Sequence, residues 1–149
     1  MCLTVAACGC LSLTAAGCSG RRSSDKWTRL RPKTYPVKVR ITWNGEPADD
    51  TVVTFESTTQ SVTAVGRTDG SGACLLKTYG PGDGAVAGEH RVRIEKFVIT
   101  GTTGDGRILD APIMPKQYAD AIASGLTAEV SPAGKNDFTF DVNGPRRAP

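Results

Sequence analysis

The feature that most constrains this chain is a strict alternation of apolar and charged residues near its centre. His90, Val92 and Ile94 alternate with Glu89, Arg91, Arg93 and Glu95. A period of two is that of a strand with one face buried and the other in water. Upstream, Asp69-Gly-Ser-Gly72 and Asn44-Gly45 offer residues that adopt positive φ, so we expect a tight hairpin turn at each.

The same pattern recurs on both sides of this centre and predicts an all-β domain. Seventeen glycines and nine prolines separate the β-branched runs, as turns separate strands. Residues 97–123 are expected to be irregular and to pack on the domain, with one helical turn at 118–124. Seven strands of this length are typical of a β-sandwich. The predicted strands are Val37–Trp43, Thr51–Glu56, Val62–Thr68, Ala73–Tyr79, Glu89–Lys96, Leu126–Val130 and Phe138–Val142.

The N-terminal segment, residues 1–17, is apolar, built largely of small residues and uncharged, and it ends immediately before Cys18. It resembles a bacterial lipoprotein signal peptide, in which cleavage before the cysteine allows a lipid to be attached to sulfur. An ordinary secretory signal and a buried apolar helix are the alternatives, and the run is too short to span a bilayer. We therefore expect export to the cell envelope and a membrane anchor on Cys18.

The charge of the chain is unevenly distributed. Residues 19–36 carry six basic residues and one acid, whereas residues 37–143 carry ten basic and fourteen acidic residues. We expect 18–36 to be the lipidated cysteine with a disordered basic tether, 37–143 to be the sandwich and 144–149 to be a frayed tail. A nucleic-acid surface would need its basic residues on the folded face, so no nucleic-acid partner is predicted.

The residues that could carry chemistry have plain structural interpretations. His90 is the only histidine and alternates with apolar residues, so we expect a core histidine bonded to a carbonyl. Cys74 alternates with Leu76 and is expected to be buried rather than nucleophilic. Asp69 and Asp83 are single acids in glycine-rich loops, whereas calcium needs several carboxylates. No catalytic, cofactor or metal site is predicted, and no disulfide between Cys18 and Cys74.

An ordered set of short motifs resembles small bacterial lipoproteins with a carboxypeptidase regulatory-like domain. The set covers nearly the whole exported chain and includes Asn44-Gly-Glu-Pro47, Thr68-Asp-x-x-Gly72, Pro81-Gly-Asp-Gly84, Gly88-Glu-His-Arg-Val-Arg-Ile94 and Pro115-Lys-Gln-Tyr118. The resemblance implies a Greek-key β-sandwich of transthyretin (prealbumin) type, a lipid tether and no catalytic activity. Cys74 and His90 stand where the family usually has aromatic residues, and Ala121 stands where proline is common.

The expected function is a non-enzymatic, lipid-anchored module of the cell envelope, either structural or binding an envelope protein. A carbohydrate- or small-ligand-binding module is the alternative, with Tyr79, Tyr118 and Trp27 as candidate platforms and Trp43 expected to point inward. An isopeptide between Lys38 and Asn136 is disfavoured, because Lys38 should point outward and Asn136 should lie in a turn. Hydroxyisourate hydrolase shares the transthyretin fold, but its paired histidines and C-terminal Tyr-Arg-Gly-Ser are absent.

Overall fold

The structure, a computed structural model, describes residues 26–145. The chain divides into two compact units, 1–31 and 32–149. In the first unit, the described residues form the short helix α1, Lys26–Arg29. The expected signal segment 1–17, the expected lipidation site Cys18 and tail residues 146–149 lie outside the described residues. Within residues 26–145, no helix has the length and apolar character needed to cross a membrane.

The second unit is all-β, as the sequence predicts. One 3-10 helix, Lys116–Ala119, interrupts the strands described between residues 32 and 145. The strands are β1 Thr34–Tyr35, β2 Val37–Trp43, β3 Glu46–Pro47, β4 Thr51–Ser57, β5 Thr63–Arg67, β6 Ala73–Leu75, β7 Ala85–Val86, β8 Gly88–Thr102, β9 Ile108–Pro112, β10 Leu126–Val130 and β11 Asn136–Val142.

Two main sheets account for most of these strands. One has the order β10-β8-β4-β5, with β9 paired to the far end of β8. The other has β2 at its centre, with β11 on one side and both β3 and β6 on the other. The β2–β11 pair is parallel, and the remaining pairs are antiparallel. A small two-stranded sheet joins β1 to β7.

The two main sheets pack face to face over one apolar core. Alternate residues of β2 are buried, because a strand turns successive side chains to opposite faces. Phe55 of β4 lies at the centre of the contact between the sheets. Its ring centroid is 5.8 Å from that of Phe138 and 6.1 Å from that of Phe140, and both partners belong to β11 of the other sheet. The core therefore has the layered arrangement of a β-sandwich.

All seven predicted strands are present, with bounds that differ by a few residues at some ends. Asn44 and Gly45 have positive φ values of 52° and 86° and form the predicted hairpin turn between β2 and β3. Asn136, expected in a turn, is instead the buried first residue of β11. Its side chain links the backbone of Ser131 to that of Pro36, which explains why a polar residue is buried there.

The expectation that residues 97–123 are irregular is wrong in its first part. Strand β8 continues to Thr102 and turns back as β9, with a register shift between Ile99 and Gly101. Gly106, with φ of 85°, lies in the connecting turn. Apolar alternation did not reveal these strands because most of their side chains are exposed. Alternation of apolar and polar residues reveals a strand only when one of its faces is buried. A strand pair whose side chains are mostly exposed is not detected in this way.

The Asp69–Gly72 turn does not form the expected hairpin. It connects β5 to β6, but β5 pairs with β4 and β6 pairs with β2, so the chain changes sheet at this turn. One antiparallel bridge, between Val65 and Lys77, still joins the two segments. Local turn residues favour a reversal of direction, but long-range pairing with β2 decides which sheet receives β6.

The sandwich begins before Val37, within the range expected to be tether. Strand β1 pairs Thr34 with Val86 and Tyr35 with Ala85. Gly84 makes this approach possible: it has φ of 81°, and a Cβ atom there would lie 1.7 Å from the carbonyl oxygen of Tyr35. At the other end, Gly144 is not frayed, because its carbonyl accepts hydrogen bonds from the side chains of Trp43 and Asn44.

Candidate functional site

His90 is a buried core residue, as predicted. Its Nδ1 lies 3.0 Å from the carbonyl oxygen of Gly88, and its ring centroid lies 5.8 Å from that of Phe55. A carbonyl can only accept, so Nδ1 carries the proton. Burial lowers the pKa of His90 below its ordinary value of 6.5, and the Gly88 hydrogen bond only partly opposes this. The imidazole is therefore neutral at pH 7 and fills the core beside Phe55.

Cys74 is also buried, and it belongs to the other sheet. It lies opposite Val39 on β2, and its Sγ is 2.8 Å from the point where a Cβ on Gly66 would stand. Burial raises the pKa of the Cys74 thiol to about 11, and the charge of Asp69 adds to the rise. A protonated thiol is a poor nucleophile at neutral pH. Cys74 and His90 thus pack on different neighbours, each as a core residue.

The two acidic loops use their carboxylates to hold the backbone. Oδ1 of Asp69 accepts hydrogen bonds from the hydroxyl and the N–H of Ser71 and from the N–H of Ala73, and these bonds lower its pKa. In Asp83, burial opposes the charge, but three backbone N–H donors outweigh it and lower the pKa. Those donors are Thr78, Tyr79 and Gly80. Both carboxylates therefore stabilise turns, as the sequence interpretation expected.

Metal and isopeptide chemistry find no support among these groups. Within residues 26–145, no three His, Cys, Asp or Glu side chains are grouped so that they could hold a metal ion. Lys38 is exposed, as predicted, whereas the amide of Asn136 is bonded to the backbone of Pro36 and Ser131. The register pairs Lys38 with Asp137 rather than with Asn136. The two isopeptide candidates thus lie on opposite faces of their sheet.

One concave feature lies beside Tyr79. A cleft of about 390 Å³ is lined by β5 residues and by the loop that Asp83 holds, namely Thr63, Val65, Lys77, Thr78, Tyr79, Gly80 and Pro81. Tyr79 is 38% exposed. Its side chain is therefore partly open to a ligand, and the cleft adds the hydroxyl of Thr63 and the ammonium group of Lys77, while the Thr78 hydroxyl donates to the carbonyl of Gly84. Aromatic and polar groups of these kinds are found in small-ligand sites.

The other aromatic candidates of the second unit do not line this cleft. Trp43 is buried as predicted, and its indole N–H donates to the carbonyl of Gly144. Tyr118 was expected to be available to a ligand, but it is buried, and its hydroxyl accepts a hydrogen bond from the N–H of Asn143. Among the aromatic candidates of this unit, Tyr79 is thus the one that lies in the cleft. Trp27 belongs to helix α1 of the first unit.

A convex feature was not predicted from the sequence at all. The hairpin formed by β9 and the second half of β8 exposes large apolar side chains: Ile99 is 71% exposed, Ile108 66% and Leu109 48%. Ile99 lies opposite Asp110, which shares a strand face with Ile108, so the two isoleucines are diagonal neighbours. The β-branched run Val98-Ile-Thr100 before the glycines was the signal that could have revealed it.

Comparison of the chain with protein-family models, with curated proteins and with solved structures finds no match. The cleft and the hairpin are therefore interpreted from their own geometry.

Proposed function

We propose that this chain is a non-enzymatic, lipid-anchored β-sandwich of the cell envelope whose β8–β9 hairpin binds a partner protein. The exposed isoleucine pair, Ile99 and Ile108, is the observation that carries the proposal. Export and a lipid on Cys18 follow from the resemblance of residues 1–18 to a lipoprotein signal. Burying one isoleucine side chain contributes about 1.5–3 kcal/mol, so the pair offers substantial binding energy.

The charges on the hairpin favour a protein over a bilayer as its target. Asp110 lies on the same face as Ile99 and Ile108, and the connecting turn carries Asp105 and Arg107, whose charges offset each other. A carboxylate is costly to move into hydrocarbon, and anionic headgroups would repel it. A protein surface can cover the isoleucines and place a basic side chain next to Asp110. Protein interfaces commonly combine a buried apolar centre with a polar rim, where Asp110 could lie.

We also propose that the sandwich is of the seven-stranded Greek-key, transthyretin-like type. The first predicted strand lies between the fourth and the seventh, and the second lies between the third and the fifth. Such non-sequential neighbours support a Greek-key connection. Of the remaining strands, β1 and β7 form their own small sheet, β3 pairs with the end of β2, and β9 pairs with the far end of β8. The family resemblance of the sequence supports the same assignment.

The membrane anchor and the hairpin are tested separately. Membrane fractionation of the wild type and Cys18→Ser, with palmitate labelling, tests the anchor. We expect Cys18→Ser to lose both the label and the membrane association, and a variant that stays equally membrane-bound would exclude the lipid anchor. Only the labelled protein then enters the binding experiment.

The hairpin is tested by crosslinking and pull-down from detergent-solubilised envelope. We expect recovery of a specific partner to fall at least about tenfold when Ile99 and Ile108 are both changed to serine, because their burial energy is lost. Ile122→Ser is the matched control, since Ile122 is 74% exposed and lies outside the hairpin. Equal recovery by all three proteins would contradict the proposed hairpin interface.

The alternative is a carbohydrate-binding module, which the Tyr79 cleft favours. Aromatic rings stack on sugar faces while hydroxyl groups and charged side chains bond to their rims. A glycan array with the wild type and Tyr79→Ala tests this function. Binding that disappears in Tyr79→Ala would support it, whereas an array without signal would exclude a glycan ligand of the types displayed.

A further inference from the structure

We infer that the free edge of β11 accepts an extended segment of a partner protein as an added strand, and that this segment carries basic side chains on its outer face. The inference deepens the proposed function by assigning a second interface and the chemistry of its occupant. It concerns the margin of the four-stranded sheet rather than the β8–β9 hairpin.

One edge of β11 has backbone groups without a partner among the described strands. Within the described chain, β11 pairs with β2 alone. The carbonyl of Val142 accepts a hydrogen bond from the N–H of Asn44, so even-numbered residues of β11 direct their backbone groups toward β2. Asp137, Thr139 and Asp141 therefore direct theirs away from β2. Three consecutive donor and acceptor sites are available to a new strand.

This open stretch has a defined end. The N–H of Asn143, the next odd-numbered residue, donates to the hydroxyl of Tyr118 at 3.2 Å. The edge that can be extended thus stops at Asp141. An added strand of about five residues would use it fully, because side chains opposite Asp137 and Asp141 are four positions apart.

The outer face of β11 carries two carboxylates. Asp137, Thr139 and Asp141 are exposed there. On the occupied side, the register places Lys38 opposite Asp137, Arg40 opposite Thr139 and Thr42 opposite Asp141, and the Thr42 hydroxyl donates to the Asp141 carboxylate. Opposite charges across neighbouring strands are favourable, and like charges are unfavourable. A partner strand with basic residues opposite Asp137 and Asp141 would face both carboxylates from the free side, as Lys38 faces Asp137 on the occupied side.

The inner face of β11 leaves part of an aromatic side chain exposed. Phe138 is only partly buried although it packs against the core, stacked with Phe140 at a centroid distance of 6.4 Å. Because it lies on the outermost strand of its sheet, apolar side chains of an added strand would pack over its remaining exposed surface. The predicted partner motif is therefore basic, apolar, small polar, apolar, basic.

The charges of β11 disfavour pairing with a second copy of this chain. An antiparallel pair of β11 strands centred on Thr139 would place Asp137 opposite Asp141 of the other copy, twice. Charged residues on edge strands oppose such self-pairing. The same charges that disfavour a homodimer favour a basic strand, which is how specificity is commonly obtained.

The test uses the full-length protein in detergent and two labelled peptides. The first contains Lys-Val-Thr-Val-Lys and the second Glu-Val-Thr-Val-Glu, which differ only in charge and read alike in both strand directions. By fluorescence anisotropy we expect the basic peptide to bind at least about tenfold more tightly. The double variant Asp137→Lys, Asp141→Lys should reverse the preference. Equal binding of both peptides to the wild type would overturn the inference.

Two further measurements locate the site. Thr139→Pro removes an N–H that points to the free edge and has no native partner there, and proline is tolerated on edge strands. We expect it to abolish peptide binding with an unchanged unfolding midpoint. Hydrogen exchange should slow at the amides of Asp137, Thr139 and Asp141 when the peptide is bound. Protection elsewhere, or a stable homodimer through β11, would contradict the proposal.

Peptide binding at β11 and partner binding at the β8–β9 hairpin can be tested independently of each other. Ile99→Ser with Ile108→Ser should leave peptide binding at β11 unchanged. If the peptide fails to bind while the hairpin variant still loses its partner, the proposed function stands and the strand inference is wrong.

Discussion

The two halves of β8 show how differently one strand can be used. Residues 88–96 are flanked by β4 on one edge and by β10 on the other over much of their length, and Ile94 in this half is fully buried. Residues 97–102 pair with β9 alone, and Ile99 is 71% exposed. The residue type is the same and the backbone is extended in both halves. The difference lies in what covers each side chain.

This difference separates stability from binding. In the inner half, each apolar side chain faces the opposite sheet, so its burial energy is already part of the folding free energy. In the outer half and its partner strand β9, the burial energy of Ile99 and Ile108 remains available for association. An exposed apolar pair beside polar residues marks an interaction surface more often than isolated exposed residues do.

The largest contrast is expected between Ile94→Ala and Ile99→Ala. Ile94→Ala leaves a cavity in the core and should lower the free energy of unfolding by about 2–5 kcal/mol. Ile99→Ala removes exposed atoms and should change it by less than about 0.5 kcal/mol. Urea denaturation followed by circular dichroism measures both values. Similar losses for the two variants would mean that Ile99 is covered within the folded chain.

The next contrast is between two glycines with nearly the same φ. Gly84→Ala would place a Cβ against the carbonyl of Tyr35 and should cost at least about 2 kcal/mol, because steric overlap adds to left-handed strain. Gly106→Ala in the hairpin turn meets no atom within 4 Å and should cost about 1 kcal/mol. Thermal unfolding of the two variants provides the comparison. A Gly84→Ala protein as stable as Gly106→Ala would exclude the close contact between β1 and the Gly84 loop.

A smaller effect is expected from His90 in the inner half of β8. Because burial lowers the pKa of His90 in the folded state, the unfolded chain takes up the proton first as the pH falls. The stabilising contribution is therefore complete above pH 6.5 and decreases below it, by at most about 1.4 kcal/mol per pH unit.

His90→Gln, which does not titrate, is the control for this prediction. The difference between the wild-type and His90→Gln unfolding free energies should be constant above pH 7 and should change between pH 6.5 and pH 5. The aspartates with lowered pKa contribute equally to both proteins and cancel in the difference. A difference that is flat down to pH 5 would show that His90 titrates normally in the folded state.

The smallest contrast compares two loop carboxylates. Asp83→Ala removes the acceptor for three backbone N–H groups and should destabilise the sandwich by about 1 kcal/mol, while loosening the Tyr79 cleft. Asp105→Ala in the hairpin turn should leave the unfolding midpoint unchanged, since Asp105 is fully exposed and accepts from the Thr103 side chain. Equal midpoints for the two variants would show that the Asp83 loop does not support the fold.

Several site residues could be predicted from the sequence because their environment follows from local alternation. Cys74 and His90 alternate with core residues, and both are buried. Cys74 packs beside Gly66 and His90 packs beside Phe55, so each has its own neighbours. Tyr118 could not be assigned in this way, because it lies in a 3-10 helix without a repeating pattern. Its hydroxyl is bonded to the N–H of Asn143, which is 25 residues away in the chain.

The sequence by itself determined where the main strands lie, which of their residues face the core and where the Asn44-Gly45 turn occurs. These properties depend on side-chain period and local backbone preference, which neighbouring residues encode. Only the tertiary structure decided that β6 joins β2, that β8 extends into a hairpin and that, among the described strands, β11 pairs with β2 alone. Each of these depends on hydrogen bonds between residues far apart in the chain, and no local pattern specifies which distant strand is the partner.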